Sequence, residues 1–263
     1  MSGRAILITG GSRGIGRAVA RRFAEAGDRV AVHHRDSAAL AAGLLTELPG
    51  TGHAVVQADL ADPAAVRTMV DEAAGLLGGL DVLVNNAGVF TPHPITEVSY
   101  EQWQAQWQVT LGVNLIGAAN VTWCAVQHMT GRGAQGRGAN SGRGAQGGRI
   151  INVSSRGAFR GEPQSPAYGA SKAALNAFGQ SLAIALAPHG IAVCTVAPGF
   201  VATDMTNEHL KPPRGDEIRA QSPFGRVADP DEIAAGIFYL ATADAQWASG
   251  AILDLNGASY LRT

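Results

Sequence analysis

The amino-acid sequence predicts an α/β fold in which a doubly wound, parallel sheet of seven strands carries helices on both faces. Short apolar runs alternate with longer amphipathic stretches along the chain, which is typical of strand–helix–strand units with right-handed crossovers. Most of these apolar runs are continuously hydrophobic, as expected for strands that are covered on both faces. The predicted strands are residues 5–9, 29–33, 54–58, 81–85, 149–153, 191–197 and 251–256.

The first helix is predicted from its periodicity and its end signal. After the first strand, Ile15, Val19 and Phe23 recur at every fourth residue, which predicts one buried helix face. Gly27 then ends the pattern, as glycine commonly does at the C-terminus of a helix.

Two further helix starts are marked by an aspartate followed by a proline, at residues 62–63 and 229–230. Aspartate is a favourable N-cap, and proline suits the first helical position. Glu232 is placed to complete a capping box with Asp229. Because strands and helices alternate without a domain boundary, we predict a single domain over residues 1–263.

Composition sets limits on the class of protein. The chain has 263 residues, of which 46% are hydrophobic, and a formal net charge of −1. The balanced charge predicts no nucleic-acid partner, and the absence of ~18 consecutive apolar residues predicts no membrane span. The two cysteines, Cys124 and Cys194, favour a reducing, cytoplasmic compartment. The histidines lack an HExxH motif and zinc-ligand spacing, so no metal site is expected.

Two segments depart from the regular alternation. Residues 131–148 are rich in glycine and arginine and repeat GRGAQG at 131 and 142, which predicts a flexible insert. The insert is either a tolerated surface expansion or an arginine-bearing dock for an acidic partner such as a carrier protein. Residues 204–226 contain Pro212, Pro213 and Gly215 and predict a mobile lid over a substrate.

A glycine-rich turn, Thr9 to Gly16, connects the first strand directly to the first helix. Backbone N–H groups in such a turn can approach a pyrophosphate, and the helix N-terminus adds partial positive charge. The spacing is GxxxGxG rather than the GxGxxG fingerprint. The turn predicts a Rossmann-like dinucleotide site, with the cofactor-binding residues Gly10, Ser12, Arg13, Gly14, Ile15 and Gly16.

The end of the second strand indicates which nicotinamide cofactor is bound. A carboxylate at this position would accept hydrogen bonds from the ribose 2′-hydroxyl of NAD. The sequence instead has His34 and Arg35 there, with Arg13 in the glycine turn. Because arginine pairs with phosphate through charge-assisted hydrogen bonds, these residues favour NADP(H). If the strand ended two residues later, Asp36 could take the NAD role.

Tyr168 and Lys172 lie four residues apart in a helical pattern, so their side chains share one face. A neighbouring ammonium is expected to lower the pKa of the phenol toward the range useful for proton transfer. Ser155 ends a predicted strand, at the edge of the sheet where open α/β folds bind ligands. A hydroxyl at this position can stabilise developing charge on a substrate oxygen.

Together these motifs resemble the short-chain dehydrogenase/reductase family over essentially the whole chain. The matching residues, in family order, are TGGSRGIG (9–16), Asp59-Leu60, NNAG (85–88), Asn114, Ser155, the Tyr168–Lys172 segment, Pro198-Gly199 and Thr203. The segments 222–234 and 249–257 are similar to those of β-ketoacyl-(acyl carrier protein) reductases and related ketoreductases.

The resemblance implies a role for each matching residue. Tyr168 would be the general acid, Lys172 would hold the nicotinamide ribose, Ser155 would orient the carbonyl, and Asn114 would hold a water of the proton relay. The further cofactor contacts that it implies come from Asp59, Leu60, Asn86, Ala87, Gly88, Pro198, Gly199, Val201 and Thr203. A homotetramer is also implied. The helix end at 186–190 lacks the basic residue expected where a carrier protein docks.

The predicted function is the NADPH-dependent reduction of a ketone, free or carrier-bound, to an alcohol. Two alternatives remain at this point: an NAD-dependent alcohol dehydrogenase of the same fold, and a non-catalytic NADP-binding sensor or scaffold. Further candidates for the pocket wall flank the predicted strand ends, namely Phe90, Pro92, His93, Arg156, Phe159 and Met205.

Overall fold

The computed structural model describes residues 3–131, 147–207 and 210–262. Its strands are β1 (Ala5–Ile8), β2 (Arg29–His34), β3 (Ala54–Gln57), β4 (Val82–Asn85), β5 (Arg149–Val153), β6 (Ala192–Pro198) and β7 (Ile252–Leu255). Its α-helices are α1 (Gly14–Glu25), α2 (Ala38–Glu47), α3 (Pro63–Leu77), α4 (Tyr100–Leu111), α5 (Ala118–Met129), α6 (Pro166–Leu186), α7 (Arg214–Ala220) and α8 (Pro230–Leu240).

The seven strands form one parallel sheet in the order β3-β2-β1-β4-β5-β6-β7. The predicted fold class is therefore confirmed. The chain moves outward from β1 to β3 and then returns to place β4 on the other side of β1. Such a switch point opens a crevice at the carboxyl ends of the strands, where open α/β sheets bind their ligands.

Alternate side chains of the central strands enter two separate hydrophobic layers. Ile6 and Ile8 of β1 pack in the layer that contains α1 and α8, whereas Leu7 packs in the layer with α3 and α5. All three side chains are fully buried. This explains the continuously apolar strands, because each face of the sheet is covered by helices.

The predicted helix ends agree with the structure. The Asp62 carboxylate accepts hydrogen bonds from the backbone N–H groups of Ala64 and Ala65, and Asp229 forms the predicted capping box with Glu232. The second strand was predicted one residue too short, since β2 continues to His34. Its pairing with Gln57 of β3 extends the ladder to that residue.

A π-helical turn, Gly112–Gly117, joins α4 to α5. The whole helical stretch Tyr100–Met129 is long and apolar enough to cross a membrane, judged by length and composition alone. In this fold Val121 and Ala125 are fully buried in the layer that contains α3, as expected for a core helix of an α/β domain.

The insert predicted at 131–148 begins after α5 and returns at β5, on the amino-terminal edge of the sheet. Most of it, residues 132–146, lies outside the described residues. The prediction that this segment is flexible therefore stays a prediction. The predicted lid, residues 204–226, contains α7. Its residues 208 and 209 lie outside the described part of the chain.

Candidate active site

A cleft of about 510 Å³ opens at the carboxyl ends of β1, β4 and β5. It brings together most of the residues that were singled out in the sequence. Those lining it are Gly10, Ser12, Arg13, Gly14, Ile15, His34, Arg35, Asp59, Leu60, Asn86, Ala87, Gly88, Ser155, Tyr168, Lys172, Pro198, Gly199, Val201 and Thr203.

Gly16 is not part of the lining, but it allows the glycine turn to pack tightly. A Cβ atom on Gly16 would lie 2.3 Å from the carbonyl oxygen of Gly10. Any side chain there would push the turn away from α1. Gly16 therefore acts on the shape of the turn and not as a wall of the cleft.

The glycine turn leaves the N-terminus of α1 open toward the cleft. Gly10 and Gly14 adopt the left-handed conformation, with φ of 62° and 54°, which favours glycine. The N-cap residue, Arg13, makes no side-chain hydrogen bond to the first turn of the helix. The first N–H groups of α1 thus lack a side-chain cap, as in a helix terminus that binds an anion.

His33 holds this turn in place, a role that the sequence reasoning missed. Its Nδ1 accepts a hydrogen bond from the Gly10 N–H at 3.0 Å, and its Nε2 lies 3.1 Å from the carbonyl oxygen of Ala58. Burial lowers the pKa of His33 to about 4, so the ring is neutral near pH 7, with its proton on Nε2. A histidine inside an apolar strand run was the available signal.

Three residues at the end of β2 and just beyond it, His34, Arg35 and Asp36, line the cleft where the 2′ position is expected. His34 is 4% exposed, and its Nδ1 has no hydrogen-bond partner among the described residues. Arg35 is 55% exposed, and its Nε lies 2.5 Å from Asp36 Oδ2. Asp36 also lines the cleft, so this ion pair lies at the end of β2, where a nucleotide ribose is expected.

Tyr168 lies in the first turns of α6, close to Ser155 at the end of β5. The phenol is hydrogen-bonded to the Ser155 side chain, and its ring meets Phe90 edge-on at a centroid distance of 5.0 Å. Burial raises the pKa of Tyr168 to about 12; the hydrogen bond to Ser155 opposes this rise, and the charge of Glu162 adds to it.

The expectation that Lys172 lowers the pKa of Tyr168 is wrong for this structure. The Lys172 ammonium lies over the tyrosine ring, 5.7 Å from its centroid, and donates a hydrogen bond to the carbonyl oxygen of Val153 at 2.8 Å. It is 3% exposed, and burial lowers its own pKa to about 8. The ammonium faces the ring and Gly88.

Asn114 lies one layer behind the cleft, in the π-helical turn. Its Oδ1 accepts a hydrogen bond from the Val89 N–H at 2.8 Å, and its Nδ2 donates to the Val89 carbonyl and to Ser171. A Cβ atom on Gly88 would lie 3.4 Å from both Asn114 Oδ1 and Lys172 Nζ. Gly88 thus has no side chain at the point that the amide and the ammonium both approach.

His93 connects the loop after β4 to the start of α6. Its Nδ1 lies 2.7 Å from the Thr91 carbonyl oxygen, and its Nε2 accepts a hydrogen bond from the Ala167 N–H at 3.2 Å. Ser165 also binds the Thr91 carbonyl. The fully buried histidine therefore satisfies a free N–H in the first turn of α6, next to Tyr168. The sequence offered only its position near a strand end as a signal.

Comparison with known proteins agrees with this geometry. The model of the short chain dehydrogenase family matches residues 4–213. L-rhamnose 1-dehydrogenase (NAD(P)(+)) from Azotobacter vinelandii is 35% identical, with 98% of this chain and 97% of the relative covered. The chain belongs to the short-chain dehydrogenase/reductase family and has its oxidoreductase fold.

Two solved structures illustrate the similarity. A short chain dehydrogenase from Burkholderia cenocepacia, in complex with NADP, has a TM-score of 0.83 and 32% identity, with 98% of each chain covered. A 3-ketoacyl-(acyl-carrier-protein) reductase from Brucella melitensis, complexed with NADH, has a TM-score of 0.84 and 30% identity, with 99% of each chain covered. One of these structures thus contains NADP and the other contains NADH.

Proposed function

We propose that this protein is an NADPH-dependent carbonyl reductase that converts a ketone to a secondary alcohol. The observation that carries the proposal is the position of Tyr168, Ser155 and Lys172 in the same cleft as the open N-terminus of α1. One wall of the cleft thus offers a proton donor, and another offers an anion-binding helix end. We also propose that residues 1–263 act as one catalytic domain.

The residues of the cleft fit an NADP(H) molecule. The uncapped N–H groups of α1 suit its pyrophosphate, and Gly14 and Gly88 leave the space that a side chain would fill. The guanidinium of Arg35 suits the ribose 2′-phosphate, and His34 lines the same part of the cleft with its Nδ1 buried. When bound, the reduced nicotinamide supplies a hydride to the carbonyl carbon.

The proton goes to the carbonyl oxygen from Tyr168. With its pKa near 12, the phenol is protonated at neutral pH and holds the proton that reduction requires. The Ser155 hydroxyl, hydrogen-bonded to the phenol, is placed to orient the same oxygen. Lys172 Nζ and Asn114 Oδ1 both approach Gly88, and we propose that they support the supply of the next proton.

The same site can oxidise a secondary alcohol, and the similarity to a rhamnose dehydrogenase keeps this second candidate open. Asp36 favours it, because its carboxylate lines the cleft two residues beyond β2 and could accept hydrogen bonds from an unphosphorylated ribose. Initial rates with NADPH and NADH against β-ketoacyl thioesters, cyclic ketones and keto esters distinguish the two. We expect the higher kcat/KM with NADPH.

Arg35→Ala tests the preference for NADPH. We expect the Kd of NADPH to rise about tenfold, while the Kd of NADH stays within about twofold, because only the former carries the 2′-phosphate. A tenfold change is the low end for a charged hydrogen bond and suits a half-exposed guanidinium. Fluorescence titration measures both constants, with Arg219→Ala on α7 as the control. An equal loss for both cofactors would rule out 2′-phosphate recognition by Arg35.

His93→Leu tests whether the loop after β4 positions Tyr168. We expect kcat to fall about tenfold or more, because small displacements of a catalytic group are costly, while the Kd of NADPH is unchanged. His93→Gln should restore most of kcat, since its Oε1 can accept the Ala167 N–H. His128→Leu is the control, because His128 pairs with Asp71 at the surface. Unchanged kcat in a folded His93→Leu would refute the positioning role.

The predicted homotetramer stays a proposal, and the surface of the long helix supports it. Val109, Ile116 and Trp123 are spaced seven residues apart and are each about half exposed, and Ile184 of α6 is 80% exposed. Apolar surface of this kind is typical of a contact between subunits.

A further inference from the structure

A second cavity of about 360 Å³ lies beside the catalytic cleft and shares no lining residue with it. It is bordered by α7, the start of α8, the end of β7 and the C-terminal segment. Its walls are largely apolar and include Phe200, Ile218, Ile233 and Leu255. Both its volume and its apolar lining are those of a pocket for a small organic molecule.

One end of this cavity carries a buried positive charge. Arg156 is 5% exposed, and its guanidinium lies 4.9 Å from the centroid of the Phe200 ring. It donates hydrogen bonds to Ser259 Oγ at 2.7 Å and to Gln221 Oε1 at 2.5 Å. Both acceptors are neutral, so these contacts leave the charge of Arg156 uncompensated.

No carboxylate among the described residues lies within ion-pair distance of Arg156. Glu162 acts on it only through its charge at longer range. The other arginine of the cavity, Arg226, is already bound by both oxygens of Glu232. The charged side chains that line the cavity are Arg156, Arg226 and Glu232, and their charges sum to +1. Because buried charges in proteins are normally paired, the cavity lacks one negative charge.

We propose that this cavity binds a small organic carboxylate, with its carboxylate on Arg156 and its apolar part against Phe200, Ile218 and Ile233. Such a molecule supplies what the cavity lacks, since a planar carboxylate matches the fork of a guanidinium. Ser222 and Asn256 also line the cavity. The site does not depend on the catalytic role proposed for Tyr168.

The test uses benzoate and isovalerate as probes and their uncharged amides, benzamide and isovaleramide, as controls. We expect each acid to raise the Tm of the wild-type protein saturably, because a ligand that binds the folded state stabilises it. We expect no saturable rise with the amides. Calorimetry should give one site per chain for each acid. Equal effects of acid and amide, or no effect of either acid, would overturn the proposal.

Two variants, Arg156→Met and Ser259→Asp, assign the site to Arg156, and a third serves as the control. Arg156→Met should weaken benzoate binding at least about tenfold, whereas Arg67→Met, which removes an exposed arginine of α3 outside the cavity, should leave it within about twofold. Ser259→Asp places a carboxylate beside the guanidinium, so it should raise the Tm without ligand and abolish benzoate binding. This second variant keeps the test decisive if Arg156→Met fails to fold. Wild-type affinity of Ser259→Asp for benzoate would contradict the assignment.

The carboxylate could belong to a separate ligand or to an acidic substrate that extends from the cleft. A keto acid and its methyl ester distinguish these sources in the intact enzyme. If the substrate reaches Arg156, benzoate competes with the keto acid, and Arg156→Met removes the lower KM of the acid relative to the ester. If the ligand is separate, benzoate binds without competing with either substrate.

Discussion

Replacing Tyr168 by phenylalanine should reduce kcat for ketone reduction by about 10²- to 10⁴-fold, the usual contribution of a general acid. The substitution removes the hydroxyl that is hydrogen-bonded to Ser155 and leaves the ring in place against Phe90. The Kd of NADPH should therefore stay within a few-fold. Steady-state rates and fluorescence titration measure the two effects separately.

Tyr100→Phe is the matched control, because Tyr100 is exposed at the start of α4. It should retain the wild-type kcat. Turnover of Tyr168→Phe within tenfold of the wild type would refute the general-acid role, while parallel losses in kcat and NADPH affinity would mean that the hydroxyl mainly supports the cofactor site.

Replacing Lys172 by methionine should abolish most turnover and also weaken NADPH binding, because the ammonium lies between the tyrosine ring and Gly88 at the wall of the cleft. Binding and activity should fall together, in contrast to the tyrosine variant. A lysine variant with wild-type cofactor affinity would contradict this placement.

The buried Lys172 should also make the stability of the protein depend on pH. Burial lowers the pKa of Lys172 from 10.5 to about 8, so between these values the unfolded state binds more protons than the folded state. The free energy of unfolding of the wild type should rise with pH across this window, by up to about 1.4 kcal/mol per pH unit from this group. Below pH 8 the full free-energy cost of burying the charged lysine is present.

Lys172→Met lacks this penalty and should be more stable than the wild type near pH 7, by no more than about 3 kcal/mol. The lost hydrogen bond to Val153 offsets part of the gain. The advantage should shrink as the pH approaches 10.5. Urea unfolding of both proteins without cofactor, at several pH values, measures it; a constant difference would show that the lysine does not titrate as inferred.

The sheet and most of the cleft could be predicted from the sequence because their signals are local. Continuous apolar runs define buried parallel strands, and the lining residues follow strand ends that meet at one edge of the sheet. Gly16 and Asn114 illustrate the limit of this reasoning. Both were identified, but only packing shows that they lie behind the wall of the cleft.

The positioning roles of His33 and His93 were missed because they depend on contacts that are distant in sequence. His33 binds a glycine turn 23 residues away, and His93 binds a helix start 74 residues away, so neither spacing forms a motif. The pKa of Tyr168 was misjudged for a related reason. Sequence spacing placed Lys172 on the same helix face as Tyr168, but its ammonium donates a hydrogen bond to the Val153 carbonyl. Burial is the largest influence on the pKa of the phenol and raises it.

Transfer of deuterium from the cofactor to a ketone tests the central claim most directly. NADPH carrying deuterium at the transferable position of the nicotinamide is incubated with the wild-type protein and a keto ester, and the alcohol is analysed by mass spectrometry. We expect one deuterium on the carbinol carbon with wild-type protein and almost none with Tyr168→Phe. If NADPH binds but no deuterated alcohol forms from any ketone of the panel, the protein is not a carbonyl reductase for these substrate classes.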